Sequence, residues 1–71
     1  MESRLWTVVR FPVGVWSGGG KTSDPAYQEC EVYRIPAESL DKAKKKAQAV
    51  RTRLIKKHSG LPTQAAPYTA I

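Results

Sequence analysis

An amphipathic helix is the strongest structural signal in this sequence and limits the folds open to the chain. Ser39 is a favourable N-cap, and Asp41 in the first turn suits the positive end of the helix dipole. Gly60 predicts the end of the helix. We therefore predict a helix over residues 39–58. The apolar residues that recur at three- and four-residue steps along one face are Leu40, Ala43, Ala47, Val50 and Leu54.

Two segments rich in β-branched and aromatic residues precede the helix. Residues 5–16 (LWTVVRFPVGVW) and 29–37 (ECEVYRIPA) predict two strands. Pro12 lacks a backbone N–H, so the first strand either bends there or lies at a sheet edge. The polar connection between the strands has about a dozen residues, and Asp24 followed by proline predicts a short helical turn within it.

These elements predict an α+β fold. We expect a two-stranded antiparallel sheet, formed by a long hairpin, with one amphipathic basic α-helix packed on it. A bare hairpin is unstable in water, so the helix must cover one face. Residues 1–60 are predicted to form this single β-loop-β-α domain. Residues 61–71 show no periodicity and are predicted to form a disordered, flexible C-terminal tail.

The alternation of side chains along the strands leaves two assignments of the sheet faces open. In the first, the side chains facing the helix are Leu5, Thr7, Val9, Phe11, Tyr33, Ile35 and Ala37. The outward side chains are then Trp6, Val8, Arg10, Val32 and Arg34. A slip of one residue exchanges the two sets of the first strand, which makes Trp6 and Val8 core residues.

Positive charge is concentrated in the predicted helix. The chain has a formal net charge of +6, but residues 1–39 are close to neutral, whereas Asp41 is the only acid of residues 40–58. This distribution indicates an acidic partner, and a solvated face that keeps the protein in solution is the alternative. The cations opposite the apolar face are Lys42, Lys45, Lys46, Arg53, Lys56 and Lys57.

Two kinds of partner fit these features. Lysines on one helical face neutralise a nucleic-acid backbone without recognising sequence. No helix-turn-helix, zinc-finger or RRM-type motif is present, so specific binding is not supported. The unpaired strand edges and the outward tryptophan and arginines favour a protein partner instead. The aromatic residues able to supplement nucleic-acid binding by stacking are Trp6, Trp16, Tyr27 and Tyr33.

The segment WSGGGKT contains the GKT of a phosphate-binding loop without the rest of that motif. A P-loop has a glycine five positions before its second glycine, and Val15 occupies that position before Gly20. We therefore predict a flexible hairpin loop. The single cysteine, Cys30, is predicted to be a packing residue, and the single histidine, His58, a charge partner at the helix end. These residues supply neither a zinc site nor a nucleophile–base pair, so we predict no enzyme, metal or cofactor.

The sequence also carries no sign of membrane insertion or export. Its longest uncharged apolar run is shorter than the roughly 18 to 20 residues of a membrane span. The N-terminal segment MESRLW has an early acid and no apolar stretch typical of a signal peptide. One cysteine supplies no intrachain disulfide. We expect a cytoplasmic monomer.

The order of strand, strand and capped helix resembles small phage-encoded regulators of host bacterial RNA polymerase. The resemblance is carried by Trp6-Thr7-Val8 and by residues 35–43. The shared helix start consists of Ser39, Leu40, Asp41 and Ala43. The coliphage inhibitor of this type is acidic where this helix is basic, so its charged contacts do not carry over. Size and basic charge are similar to the transcription regulator of a Xanthomonas phage.

The resemblance implies a non-catalytic protein that binds a host RNA polymerase subunit in the host cytoplasm and alters initiation or termination. The docking contacts are then expected from the outward sheet residues and the cations of the helix. A non-specific nucleic-acid-binding protein is the first alternative. Another phage-encoded inhibitor, directed against a host defence complex, is the second.

Overall fold

The computed structural model describes residues 3–70, which form a four-stranded mixed sheet with one α-helix packed on it. In chain order the elements are β1 (Arg4–Arg10), β2 (Trp16–Gly18), a 3-10 turn (Pro25–Tyr27), β3 (Glu31–Ala37), α1 (Leu40–Lys56) and β4 (Tyr68–Thr69). The strand order is β2-β1-β3-β4. β1 is antiparallel to β2 and β3, whereas β4 is parallel to β3. The α+β class agrees with the prediction, but the predicted two-stranded antiparallel sheet is wrong.

The predicted first strand divides into β1 and β2 because the chain reverses after Arg10. The N–H of Phe11 donates to the carbonyl of Val15 at 2.9 Å, and that of Gly14 to the carbonyl of Phe11 at 2.8 Å. Gly14 has a φ of 99°, which glycine adopts without a Cβ clash. Pro12 lies in this turn, where its missing N–H costs no sheet hydrogen bond. The chain thus bends at Pro12, and its second half becomes an edge strand.

The C-terminal residues return to the sheet, so the predicted disordered tail is wrong. Tyr68 is aligned with Tyr33 in the parallel pair, and the N–H of Ala70 donates to the carbonyl of Arg34 at 3.0 Å. Pro62 is buried. Residues 61–70 therefore belong to the folded unit.

A glutamine ties this returning segment to the connection between β2 and β3. The side-chain amide of Gln64 donates to the carbonyls of Thr22 and Asp24, at 3.0 and 2.7 Å. Asp24 also caps the 3-10 turn, because its carboxylate accepts the N–H of Ala26 at 2.9 Å. The predicted turn at Asp24 is confirmed.

β1 presents to α1 the side chains that were predicted to face outward. In the antiparallel register Trp6 lies opposite Ile35, and Val8 lies opposite Tyr33. Directly opposed side chains share one face of the sheet, and Val8 and Tyr33 pack with the helix in a single core cluster. The assignment that placed Trp6, Val8 and Arg10 outward is therefore wrong by one residue.

Apolar side chains on both faces of the sheet explain this error. Val8 faces the helix and Val9 faces the other way, yet both are 0% exposed. On the face away from α1, Val9 and Val32 pack beneath Tyr27 and Cys30 of the connection. Alternation reveals a strand's phase only when one face is polar. Cys30 is confirmed as a packing residue, and burial raises the pKa of its thiol.

The start of α1 and its packing face are as predicted. The hydroxyl of Ser39 accepts the N–H of Lys42 at 3.3 Å, which confirms the N-cap. No helix within residues 3–70 is long and apolar enough to cross a bilayer. The helix residues buried against the sheet are Ala43, Ala47 and Val50.

The end of α1 differs from the prediction, because His58 rather than Gly60 makes the stop. His58 has a φ of 55°, in the left-handed region. Its N–H donates to the carbonyl of Ile55 at 3.1 Å, and the N–H of Ser59 donates to that of Leu54 at 3.0 Å. This pair of bonds is a Schellman motif, which normally has glycine at the left-handed position.

Part of the segment WSGGGKT is strand rather than flexible loop. Its first three residues form β2 and pair with β1. A Cβ at Gly18 would lie 2.3 Å from the carbonyl oxygen of Thr7, so the close approach of β2 to β1 requires glycine. The hydroxyls of Thr7 and Thr22 are hydrogen-bonded at 3.2 Å. The segment is therefore held against the sheet at both ends.

Candidate functional site: a basic helix face and an adjoining groove

The six predicted cations are all exposed, five of them on α1 and Lys57 at its C-cap. Lys46 and Arg53 flank the face that packs on the sheet, since both line a groove with the buried Val50. We call the surface formed by the six cations the basic face. It consists of Lys42, Lys45, Lys46, Arg53, Lys56 and Lys57.

Little of this charge is neutralised within the described part of the chain. Lys42 pairs with Glu38 at 2.9 Å and is the only member of the basic face in an ion pair within residues 3–70. The hydrogen bond from Lys42 lowers the pKa of the Glu38 carboxyl. Lys46 donates to the carbonyl of Pro36 at 3.0 Å, a contact that leaves its charge in place. The basic face therefore presents a positive field to a partner.

A groove of about 430 Å³ lies beside the basic face, between α1 and the edge of β3. We call it the edge groove. Among residues 3–70, its lining is apolar apart from two cations of the basic face, Lys46 and Arg53, and contains no carboxylate. The apolar lining residues are Ile35, Pro36, Ala49, Val50 and Ala70.

The sequence of α1 explains why the groove is open on the helix side. Lys46, Ala49 and Arg53 are spaced three and four residues apart, so they follow one another along the same stripe of the helix. The short side chain of Ala49 leaves a gap between the two long cations. Ile35 and Val50, both buried, line the groove there.

On the sheet side, β4 ends at Thr69, and within residues 3–70 it pairs with β3 only at Tyr33 and Arg34. The carbonyl of Arg34 bonds to Ala70, and alternate residues of a strand direct their backbone polar groups to the same side. Pro36 therefore faces the open edge. Proline has no N–H to donate, and its carbonyl already accepts Lys46. The strand addition expected at an unpaired edge is disfavoured here.

The structure does not bring the predicted protein-binding residues onto one surface. Trp6, Val8 and Arg10 lie on the helix side of the sheet, whereas Val32 and Arg34 lie on the opposite side. Val8 and Val32 are each 0% exposed. A single outward docking face made of these residues is therefore ruled out by strand phase and burial.

Trp6 makes internal contacts. Its indole N–H donates to the carbonyl of Ala37 at 3.0 Å, and the guanidinium of Arg4 lies 4.2 Å from the centre of its ring. It packs as a half-buried residue against the core cluster under α1. Trp6 thus fits the alternative assignment, in which it belongs to the core.

Arg10 belongs to a polar cluster centred on Glu31. One carboxylate oxygen of Glu31 accepts the hydroxyl of Tyr33 at 2.7 Å and the Nε of Arg51 at 2.8 Å. The other accepts Arg10 at 3.5 Å. Burial, followed by the bond to Glu31, raises the pKa of Tyr33. This cluster links β1, β3 and α1, and sequence analysis missed it because its members come from distant segments.

The aromatic residues considered for base stacking do not form an exposed platform. Tyr33 is fully buried and Tyr27 is buried under the opposite face. Trp16 packs on Tyr33, with ring centres 5.6 Å apart. Stacking on nucleic-acid bases by Tyr27 or Tyr33 would require these rings to leave the core.

Within residues 3–70, no three His, Cys, Asp or Glu side chains are grouped so that they could hold a metal ion. No protein-family model, curated protein or solved structure matches the chain. The resemblance to phage regulators of RNA polymerase therefore stays a prediction.

Proposed function

We propose that the protein is a non-catalytic, phage-type regulator that binds host RNA polymerase in the bacterial cytoplasm and modulates transcription. The basic face makes the contact with an acidic surface of the polymerase. The observation that carries this proposal is the largely unneutralised charge of that face. The polymerase itself is indicated only by the sequence resemblance at Trp6-Thr7-Val8 and residues 35–43.

Two features of the molecule support a binding role on the helix side. The basic face is exposed, and the edge groove beside it has a mainly apolar lining. Charge on an exposed surface mainly speeds association and selects partners, and its effect weakens as salt increases.

Binding to purified bacterial RNA polymerase holoenzyme tests the proposal. At low salt we expect the protein to bind and to change the yield of promoter-dependent transcripts. Lys45→Glu should weaken binding about tenfold because it reverses a charge on the basic face. Lys21→Glu is the matched control, since Lys21 is also exposed but lies in the connection. No binding to the holoenzyme, or equal effects of the two variants, would contradict the proposal.

The same cations favour a second candidate function, non-specific nucleic-acid binding. Backbone neutralisation releases counterions, so the logarithm of the affinity should fall with the logarithm of salt concentration with a slope of several units. Titration of duplex DNA at two salt concentrations measures this slope. Weak binding with little salt dependence would exclude the second candidate without affecting the first.

A further inference from the structure

We propose that the edge groove binds a short partner segment in which an apolar side chain lies between two carboxylates. The groove has an apolar floor that includes Ile35 and Val50, and the cations Lys46 and Arg53 line it. The part of the lining that the structure describes has no carboxylate to neutralise them. An acidic and apolar segment complements both properties, whereas a nucleic-acid backbone supplies charge without an aliphatic group for the floor.

The backbone at the groove determines how such a segment binds. Pro36 offers no N–H and its carbonyl is occupied by Lys46, so the segment is held by side chains rather than as an added strand. Lys46 retains further donor capacity on its ammonium group, and Arg53 is able to bind a carboxylate with two parallel hydrogen bonds.

The spacing of the two cations defines the segment further. Lys46 and Arg53 lie seven positions apart on α1, or roughly 10 Å along the helix axis. In an extended peptide, side chains alternate between two faces, so carboxylates four residues apart share one face at a separation of about 13 Å. The long side chains of Lys46 and Arg53 are able to span this separation. A volume of about 430 Å³ is within the range of small ligand sites and accommodates an intervening leucine.

The edge groove specifies the chemistry of the partner segment that the proposed regulator binds, so this inference rests on the proposed function. The test is a titration without polymerase, so the two proposals fail separately. The probe is a fluorescein-labelled peptide with two glutamates four positions apart, a leucine midway between them, and glycines elsewhere. We expect saturable binding, with amide chemical-shift changes at Ile35, Val50 and Ala70.

Two helix variants separate groove binding from general charge attraction. Ala49 and Gln48 are both exposed positions of α1, and leucine is a good helix former at either. Ala49→Leu fills the gap between the cations and should weaken peptide binding at least tenfold. Gln48→Leu lies on another side of the helix and should change it less than twofold.

Two further peptides complete the test. Replacing the leucine by glycine should abolish saturable binding, and replacing both glutamates by glutamine should do the same. Equal binding of the glycine peptide would show attraction to charge alone and would overturn the proposal. Unchanged binding by Ala49→Leu would also overturn it, as would duplex DNA producing the same shifts at Ile35 and Val50.

Discussion

At the scale of single residues, Glu31 accepts hydrogen bonds from three other side chains. Its carboxylate joins a buried tyrosine hydroxyl and two arginines that are about three-quarters buried, from three elements. A hydrogen bond to a charged group contributes about 1.5 to 3 kcal/mol, which is more than a neutral one contributes. Tyr33 therefore depends on Glu31 to satisfy its hydroxyl inside the core. The two arginines are positioned by this cluster and are less available to a partner than the basic face.

The raised pKa of Tyr33 predicts that the free energy of unfolding falls at alkaline pH. Tyr33→Phe should reduce this fall. Below the ordinary tyrosine pKa of 10.0, folded and unfolded states both keep the proton. Above it, the unfolded chain ionises while folded Tyr33 stays protonated, so unfolding is favoured as pH rises. One such group contributes a slope of up to about 1.4 kcal/mol per pH unit.

Urea unfolding at pH 8 and pH 11 measures this effect. Tyr33→Phe should be less stable than the wild type at pH 8, because it removes a hydrogen bond to Glu31, and the deficit should shrink at pH 11. Tyr68→Phe is the control, since it also removes one tyrosine hydroxyl but leaves the Glu31 cluster intact. A deficit of Tyr33→Phe that stays constant between the two pH values would contradict the prediction.

At the scale of elements, α1 ends in a backbone conformation that lowers the stability of the protein. His58 occupies a left-handed conformation that costs a residue with a Cβ about 1 to 2 kcal/mol. Glycine removes this cost but loses more conformational entropy on folding. We therefore expect His58→Gly to stabilise the protein by about 0.5 to 1 kcal/mol in thermal or urea unfolding.

Gly60→Ala is the matched comparison, because the sequence predicted Gly60 as the helix stop. A Cβ at Gly60 would meet no atom within 4 Å, so this variant should be close to neutral. Destabilisation by Gly60→Ala together with no gain from His58→Gly would mean that the helix ends at Gly60 after all.

The elements also differ in how far sequence predicted them, for physical reasons. The N-cap, the packing face of α1 and the basic face depend on spacing within one helix, which local periodicity determines. The phase of β1 depends on what covers each face of the sheet, and Val8 and Val9 are both apolar. The edge groove depends on where β4 ends beside β3. The hydrogen-bonded cluster around Glu31 depends on side chains from distant segments. Neither is a local property of the chain.

At the scale of the whole molecule, the sheet is held by two unequal layers. α1 covers one face, and the shorter connection containing Tyr27 and Cys30 covers part of the other. The returning C-terminal segment contacts both layers, since Gln64 bonds to the connection and Tyr68 packs in the cluster under the helix. This segment therefore closes the fold and also forms one wall of the edge groove through Ala70.

Removal of residues 61–71 should consequently destabilise the protein, whereas loss of a disordered tail would be neutral. Burying one large apolar side chain contributes about 1.5 to 3 kcal/mol, and the deletion exposes the surfaces beneath Pro62 and Tyr68. We expect a loss of at least about 2 kcal/mol in urea unfolding.

Gln64→Ala keeps the segment but removes its two side-chain hydrogen bonds, so it should cost about 1 to 2 kcal/mol. Gln48→Ala, an exposed glutamine of α1, should be neutral. Unchanged stability of both the deletion and Gln64→Ala would mean that residues 61–70 do not hold the sheet in solution.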